Sequence, residues 1–308
     1  MGAVINLMKI LAERISKNNK YKLYIGGGII TFTVVFLSGI SGWIIERLFL
    51  FFEIKNHIIS TLLFSFILSS SLASRSLNKS IFEIIHLMSF ENFIDNLQIT
   101  RQKLSFIVGR DVENLDKNDI LRAAAETASE NSVDGVFAPL FWIFVGTIFW
   151  QFNNLMPGPL AMAWIFKASS TIDSMLGYKE GKLKWLGFAG AKLDDMMTWI
   201  PSRIVLITLP FCCKRKQSIL TTIKHAWRDG LVDSSPNSGI SEAIFAYCAE
   251  VRMGGINYYR GQKRIKPIIA RSYPIASISS VKKILNLSLR LQFAWILGIL
   301  LILKLINL

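Results

Sequence analysis

The sequence predicts an all-α, polytopic membrane protein with about four to six membrane-inserted helices and helical loops on the cytoplasmic side. Three observations carry that expectation. Apolar residues make up 52% of the 308-residue chain and charged residues 18%, below the quarter usual for soluble domains. The apolar residues fall in long runs free of Asp, Glu, Lys and Arg, close to the roughly 20 helical residues that cross about 30 Å of hydrocarbon. Alternating strand patterns are sparse, and in lipid a helix satisfies its own backbone groups.

The elements follow in order. Residues 1–23 form a basic segment, with Lys9, Arg14, Lys17, Lys20 and Lys22 against Glu13, which the positive-inside rule places in the cytoplasm. The segment lacks the short apolar core and cleavage site of a signal peptide. Residues 24–74 read as a two-span hairpin: Tyr24–Ile45 and Asn56–Ser74 are uncharged, and the charge-balanced connection from Glu46 to Lys55 is expected outside. Residues 75–134 are expected to be cytoplasmic polar helices, with Asn118 or Asp119 as an N-cap before an Ala-rich helix. Residues 135–176 read as a membrane hairpin turning at Asn153–Pro159, whose second arm carries Lys167 and Asp173. Residues 177–286 are expected to be cytoplasmic catalytic loops. Within them the short run 199–213, interrupted by Pro201 and Arg203, is taken as re-entrant or interfacial. A crossing there would move the strongly basic stretch that follows to the wrong face. Residues 287–308 close the chain as a transmembrane helix.

The net charge of +14 comes mainly from these loops and suits acidic lipid and anionic substrates. Nucleic acid is not an expected partner, because no recognition motif accompanies the charge. Cys212, Cys213 and Cys248 have no CxxC spacing, which argues against a disulfide framework or a zinc site. No Walker loop, GxGxxG or HExxH is present. Without an internal repeat, an inverted-repeat transporter has little support.

Four polar clusters could carry chemistry. Arg122, Glu126, Glu130 and Asp134 recur every four residues and form one helical stripe. Its acids need a divalent cation or cationic partners such as Arg122; the plain alternative is a solvated acidic face. Lys167, Ser169, Ser170, Thr171 and Asp173 share one arm, where polar groups are expensive unless partnered or at the interface. Lys179 follows in a turn that brings a cation near Asp173. Asp194–Asp195 is a pair suited to Mg²⁺, or simply a charged helix end, and Arg203 beyond it can meet a phosphate through its fork. Ser235-Pro236-Asn237-Ser238-Gly239 is a turn before a helix whose N-terminus offers N–H groups to an anion, or an ordinary cap. Arg252 precedes Gly254–Gly255, which lets backbone approach a ligand or simply makes a turn.

Taken together, these pieces resemble one family. Val108-Gly109-Arg110-Asp111, Leu115-Asp116, Glu126, Ser129-Glu130-Asn131, Asp134-Gly135 and Ala138–Trp142 stand in its order and spacing. Lys167-Ala168, Asp173-Ser174-Met175, Gly177-Tyr178-Lys179, Leu193-Asp194-Asp195, Ile200-Pro201, Arg203, Ser235-Pro236-Asn237, Glu242-Ala243 and Gly254-Gly255 continue it. From about residue 105 to 260 the chain is similar to the CobD/CbiB adenosylcobinamide-phosphate synthases of cobalamin (vitamin B12) biosynthesis. It departs from their pattern at Asp233, where histidine is expected.

The resemblance implies an inner-membrane ligase with its active face in the cytoplasm. It implies ATP-driven coupling of (R)-1-aminopropan-2-ol, or its O-phosphate, to the free propionate carboxylate of adenosylcobyric acid. It further implies ATP as a substrate, Mg²⁺ as cofactor, and partners comprising the corrinoid, the amine, membrane lipid and other cobalamin-biosynthesis enzymes. Fitted to that chemistry, Asp194 and Asp195, with Glu126 and Glu130, are the expected metal ligands. Lys167, Arg203 and Arg252, with Ser235, Asn237 and Gly239, are expected to bind phosphate. Asp173, Glu242 and Lys179 are the expected catalytic groups, and Asp111, Asn131, Asp134, Gly254 and Gly255 the substrate-binding ones. Asn131 and Asn237 would also meet the corrinoid's amides. A transporter or a non-catalytic scaffold for corrinoid enzymes remains the alternative.

Overall fold

A computed structural model describes the chain except residues 18, 54–56, 91–92, 179, 214–217 and 306–308. The first helices are α1 (Gly2–Ser16), α2 (Lys20–Glu53), α3 (His57–Ser69), α4 (Ser74–Met88), α5 (Phe93–Ser105) and α6 (Lys117–Ser132). A π-helical turn (Val133–Phe137) joins α6 to α7 (Ala138–Phe152), and α8 (Pro159–Leu176), α9 (Leu183–Leu186) and α10 (Phe188–Thr208) follow. A 3₁₀ turn (Leu209–Cys212), α11 (Ile219–Gly230), α12 (Ser238–Ala249), strands β1 (Met253–Tyr259) and β2 (Gln262–Ile269), and α13 (Ile278–Leu305) complete the order.

Among the described residues three helical stretches are long and apolar enough to cross a membrane: Lys20–Phe52, the continuous Lys117–Phe152, and Ile278–Leu305. A fourth arises if His57–Ser69 and Ser74–Met88, bent by 46°, form one broken span. The chain is therefore an all-α polytopic membrane protein, carrying in addition one small two-stranded hairpin.

The chain divides into two compact units. The first comprises residues 1–72 and 138–198 with the last few residues of the chain. Its central helix, α2, does not end near Ile45 as the charge pattern suggests. It runs on to Glu53, so Glu46 lies inside the helix and not in an outer connection. The fully buried Glu46 carboxylate accepts the N–H groups of Gly158 (2.9 Å), Leu160 (2.7 Å) and Ala161 (3.0 Å) at the start of α8. Those donors have no partner within their own helix, and a carboxylate there also meets the positive end of the helix dipole. Close packing of α2 on α8 needs Gly42, because a Cβ would stand 2.7 Å from Ala161 Cα. Small residues at a crossing are how membrane helices gain contact where lipid removes the hydrophobic drive.

The second unit comprises residues 73–137 and 199–302. Its core gathers Ile81, Ile84 and Ile85 of α4, the alanines of α6, all of α12 from Gly239 to Ala249, and Val281, Ile284 and Leu285 of α13. A helix buried on every face must be apolar nearly all round, and α12 is so apart from Ser241, Glu242 and the Tyr247 hydroxyl. The cap of α6 is Asp116, not Asn118 or Asp119: its carboxylate accepts Asp119 N–H at 2.8 Å from an extended backbone. Pro201 does not break α10, which continues to Thr208 before tightening into the 3₁₀ turn.

The hairpin is antiparallel, pairing Gly255 with Lys266 and Asn257 with Arg264. Arg260 and Gly261 both have positive φ, 52° and 76°, the two-residue turn that matches strand twist. A bulge falls at Met253–Gly255. At its centre Gly254 has φ 83°, and a Cβ there would run into the Pro267 carbonyl oxygen, so only glycine fits.

Candidate functional site

The second unit collects the charged residues of its interior around Glu126. Helix α6 stacks Arg122, Glu126 and Glu130 one turn apart, and the bulge of β1 lies against them. Arg110, from the loop before α6, donates to Glu126 Oε2 and, at 2.7 Å, to Asn257 Oδ1. Gly254 N–H donates to Glu126 Oε1 at 2.8 Å. Arg122 stands 3.6 Å from the same oxygen and donates to Asp119 (2.8 Å), Asn257 (3.1 Å) and the carbonyls of Gly254 and Ile256. Within the stripe Glu126 is thus neutralised by arginines, with both its oxygens engaged.

Lys266 of β2 shares the inner face of the hairpin with Asn257. Its Nζ lies 2.6 Å from Glu242 Oε1 and 3.7 Å from Asp233 Oδ2. Glu242 is wholly buried on α12, and its Oε2 has no hydrogen-bond partner. Burial lifts the Glu242 carboxyl to about 8; Lys266 pulls it back and the charges of Glu126 and Glu130 push it further up. Burial works against the Lys266 ammonium, but the surrounding acids, Glu242 foremost, outweigh it and hold the lysine above its ordinary range. Among the described residues this is where an unsatisfied carboxylate oxygen and a held cation meet. Such an orphaned buried acceptor calls for an explanation.

Arg203 does not stand open. Its fork donates to Asn237 Oδ1 (2.6 Å), Ser202 Oγ (2.9 Å) and the Pro236 carbonyl (2.8 Å), between the rings of Trp199 and Trp227. Asn237 caps nothing with its side chain; Ser235 Oγ accepts the N–H groups of Asn237 and Ser238 instead. Gly239 lets α12 approach α11, where a Cβ would strike Gly230 O and Asp233 Cβ.

A cavity of about 1120 Å³ opens beside the arginine cluster. Asp111, Asn118, Asp119 and Arg122 line one wall, and Arg252, Gly254, Gly255 and Tyr258 are also among its lining residues. The sequence-selected Asp111, Arg252, Gly254 and Gly255 therefore share one concavity. Asp111 also accepts Arg260 N–H (2.9 Å) and Gly261 N–H (2.7 Å), fixing the hairpin turn. Asn131 and Asp134 sit half-buried at the end of α6 and in the π-helical turn.

The remaining expected residues belong to the first unit. Lys167 and Asp173 lie on α8, and Asp194 and Asp195 on α10, with Lys192 3.8 Å from Asp195. Lys179 lies outside the described residues. The four expected metal ligands therefore fall in different units, two in each. Among the described residues no group of three or more His, Cys, Asp or Glu side chains is disposed to hold a metal. Glu126 does not fit a metal, because its oxygens already face two arginines and a backbone N–H.

Sequence alone does not single out Arg110, Asn257 and Lys266. Arg110 sits inside Val108-Gly109-Arg110-Asp111, but nothing local marks its partner. Lys266 looks like one of several basic residues on a strand, and only the hairpin register turns it inward.

Comparison with known proteins follows the same outline. A model of the CobD/Cbib protein family matches residues 1–288, wider than the stretch that carries the resemblance in sequence. The cobalamin biosynthesis protein CobD of Synechocystis is 33% identical over 296 residues, covering 96% of this chain and 81% of that protein. CobD of Clostridium acetobutylicum is 34% identical over 87% of this chain and 79% of that protein, and CbiB of Salmonella typhi 32% over 93% and 84%. No solved structure matches. By a family match over nearly its whole length and by these relatives, the chain belongs to the CobD/Cbib family.

Proposed function

We propose that this protein is a membrane enzyme of cobalamin biosynthesis. It would join (R)-1-aminopropan-2-ol, or its O-phosphate, to the free propionate carboxylate of adenosylcobyric acid at the expense of ATP. The names of its relatives supply the pathway. The observation that carries the chemistry is Glu242: a buried carboxyl with one oxygen on Lys266 and the other without a partner.

A carboxylate is a poor acyl donor. Its oxygen attacks the γ-phosphorus of ATP, ADP leaves, and an acyl phosphate results. The amine then attacks the acyl carbon and phosphate departs. The nitrogen's surplus proton needs an acceptor with a pKa near the working pH, and Glu242, lifted to about 8, has that property. Lys266 is the positioning residue that fixes its orientation. Arg122 and Arg252 on the cavity lining offer positive charge to phosphate oxygens. Asp194 and Asp195 of the first unit are the carboxylates that would hold Mg²⁺, which commonly takes one or two carboxylates plus phosphate oxygens and would supply positive charge to phosphate. The basic loops support a cytoplasmic active face, and the proposed reaction would run at the inner membrane.

The test is direct. Detergent-purified protein is incubated with adenosylcobyric acid, each amine in turn, ATP and Mg²⁺, and the corrinoid is weighed by mass spectrometry. The amidated product is expected with one of the amines, and Asp194→Asn with Asp195→Asn should lose most of the Mg²⁺-dependent turnover. No product with either amine, from folded protein, rejects the ligase.

A further inference from the structure

The first unit carries an apolar groove of about 690 Å³, lined by Gly28, Phe32, Phe36, Gly39 and Trp43 of α2 and by Ile165 of α8, among others. From Trp43 to Gly28 it follows fifteen helical residues, about 22 Å. That exceeds the roughly 15 Å of hydrocarbon in one leaflet. One turn beyond Trp43 stands Arg47, its guanidinium between the indoles of Trp43 (5.4 Å) and Trp150 (5.6 Å). Two of its nitrogens, Nε and Nη2, are buried without an acceptor, and so is the indole N–H of Trp150. The neighbouring Glu46 does not answer them, because its oxygens face the start of α8. Among the described residues no carboxylate pairs with Arg47.

Height along α2 places this charge. Arg47 is about 38 Å from Lys22 along the axis, close to the roughly 40–45 Å between the two headgroup regions. Lys22 at one interface therefore puts Arg47 at the other, where tryptophans anchor membrane helices. We infer that this groove binds one phospholipid, its acyl chain lying along α2 past Gly39 and its phosphate oxygens received by Arg47 and the Trp150 indole. Apolar surface accounts for the chain, and unanswered donors at one end account for the phosphate.

The whole protein, purified in mild detergent, tests it by native mass spectrometry. The probes are phosphatidylglycerol, diacylglycerol with the same chains, and inorganic phosphate. Wild-type protein should hold one phosphatidylglycerol at least tenfold more tightly than diacylglycerol, and millimolar phosphate should not displace it. Arg47→Gln should abolish that preference. Gly28→Phe, whose Cβ meets nothing within 4 Å, should weaken both lipids at least tenfold at an unchanged melting temperature. Equal binding of the two lipids by wild type, unchanged retention in both variants, or a lipid-free dimer seated on the groove would each overturn the inference. Ligase turnover is not the readout, so the outcome is independent of the proposed reaction.

Discussion

Glu242 shows what one buried carboxyl can be expected to do. Its folded-state pKa, about 8, lies above the ordinary 4.5, so the folded protein holds a proton that the unfolded chain releases. Its stabilising contribution is therefore full below about 4.5 and is lost as pH rises through about 8. Thermal unfolding in detergent should show a midpoint that falls across that window, with a shallower slope in Glu242→Gln. Turnover should rise with an apparent pKa near 8 that belongs to the Glu242–Lys266 cluster as a whole. Glu242→Gln should lower kcat roughly 10²–10⁴-fold with little change in corrinoid KM. Glu126 makes the contrasting case. Glu126→Gln leaves Arg110 and Arg122 without their buried counter-charge, and breaking such a pair costs about 3–5 kcal/mol. A matching loss of melting temperature should appear, and a double replacement, Arg110→Met with Glu126→Leu, should be milder. A drop no larger than that of a surface control would show that the cluster is not load-sharing in this way.

At the scale of elements, the hairpin organises the interior of the second unit. Its bulge delivers the Gly254 N–H to Glu126, and its register sends Asn257 and Lys266 inward. Gly254→Ala should therefore destabilise by about 1–3 kcal/mol from backbone conformation alone. Faster limited proteolysis within residues 253–269 is the expected sign. The hairpin is not among the expectations drawn from the sequence. Arg260–Gly261 between β-favouring residues is a turn signal, but the basic residues along Gln262–Ile269 hide the alternation. The helices were easier. Uncharged runs announce α2 and α7 and an apolar run with Arg290 and Lys304 near its ends announces α13, whereas the end of α2 is hidden because Glu46 reads as a loop charge until its three N–H donors are seen. The cap of α6 is hidden for a similar reason: Asp116, Asn118 and Asp119 are all good caps, and only backbone geometry chooses Asp116.

For the whole molecule, the proposal requires that residues distant in sequence face the same side of the membrane. Single cysteines at Glu130 and Asn237, in a chain whose native cysteines are replaced, should react with a membrane-impermeant reagent from the same side. Both positions fall in the second unit, where α12 packs on α6. Labelling from opposite faces would refute the shared site. Resemblance over residues 105–260 located the family, and the family match over residues 1–288 extends it into the spans. Resemblance did not distribute the roles. Asp194–Asp195 and Glu126–Glu130 look alike as carboxylate pairs, yet Glu126 is already neutralised by arginines and cannot serve as a metal ligand.

By itself the sequence determined the membrane, the helices and the family, because burial in lipid is written in the length of apolar runs and ordered motifs survive in one dimension. Tertiary structure decided which charges meet. Whether a carboxylate is a ligand, a helix cap or a proton acceptor depends on what lies within about 3 Å of its oxygens. Those neighbours, Gly158 for Glu46, Arg110 for Glu126 and Lys266 for Glu242, stand 16 to 112 residues away along the chain.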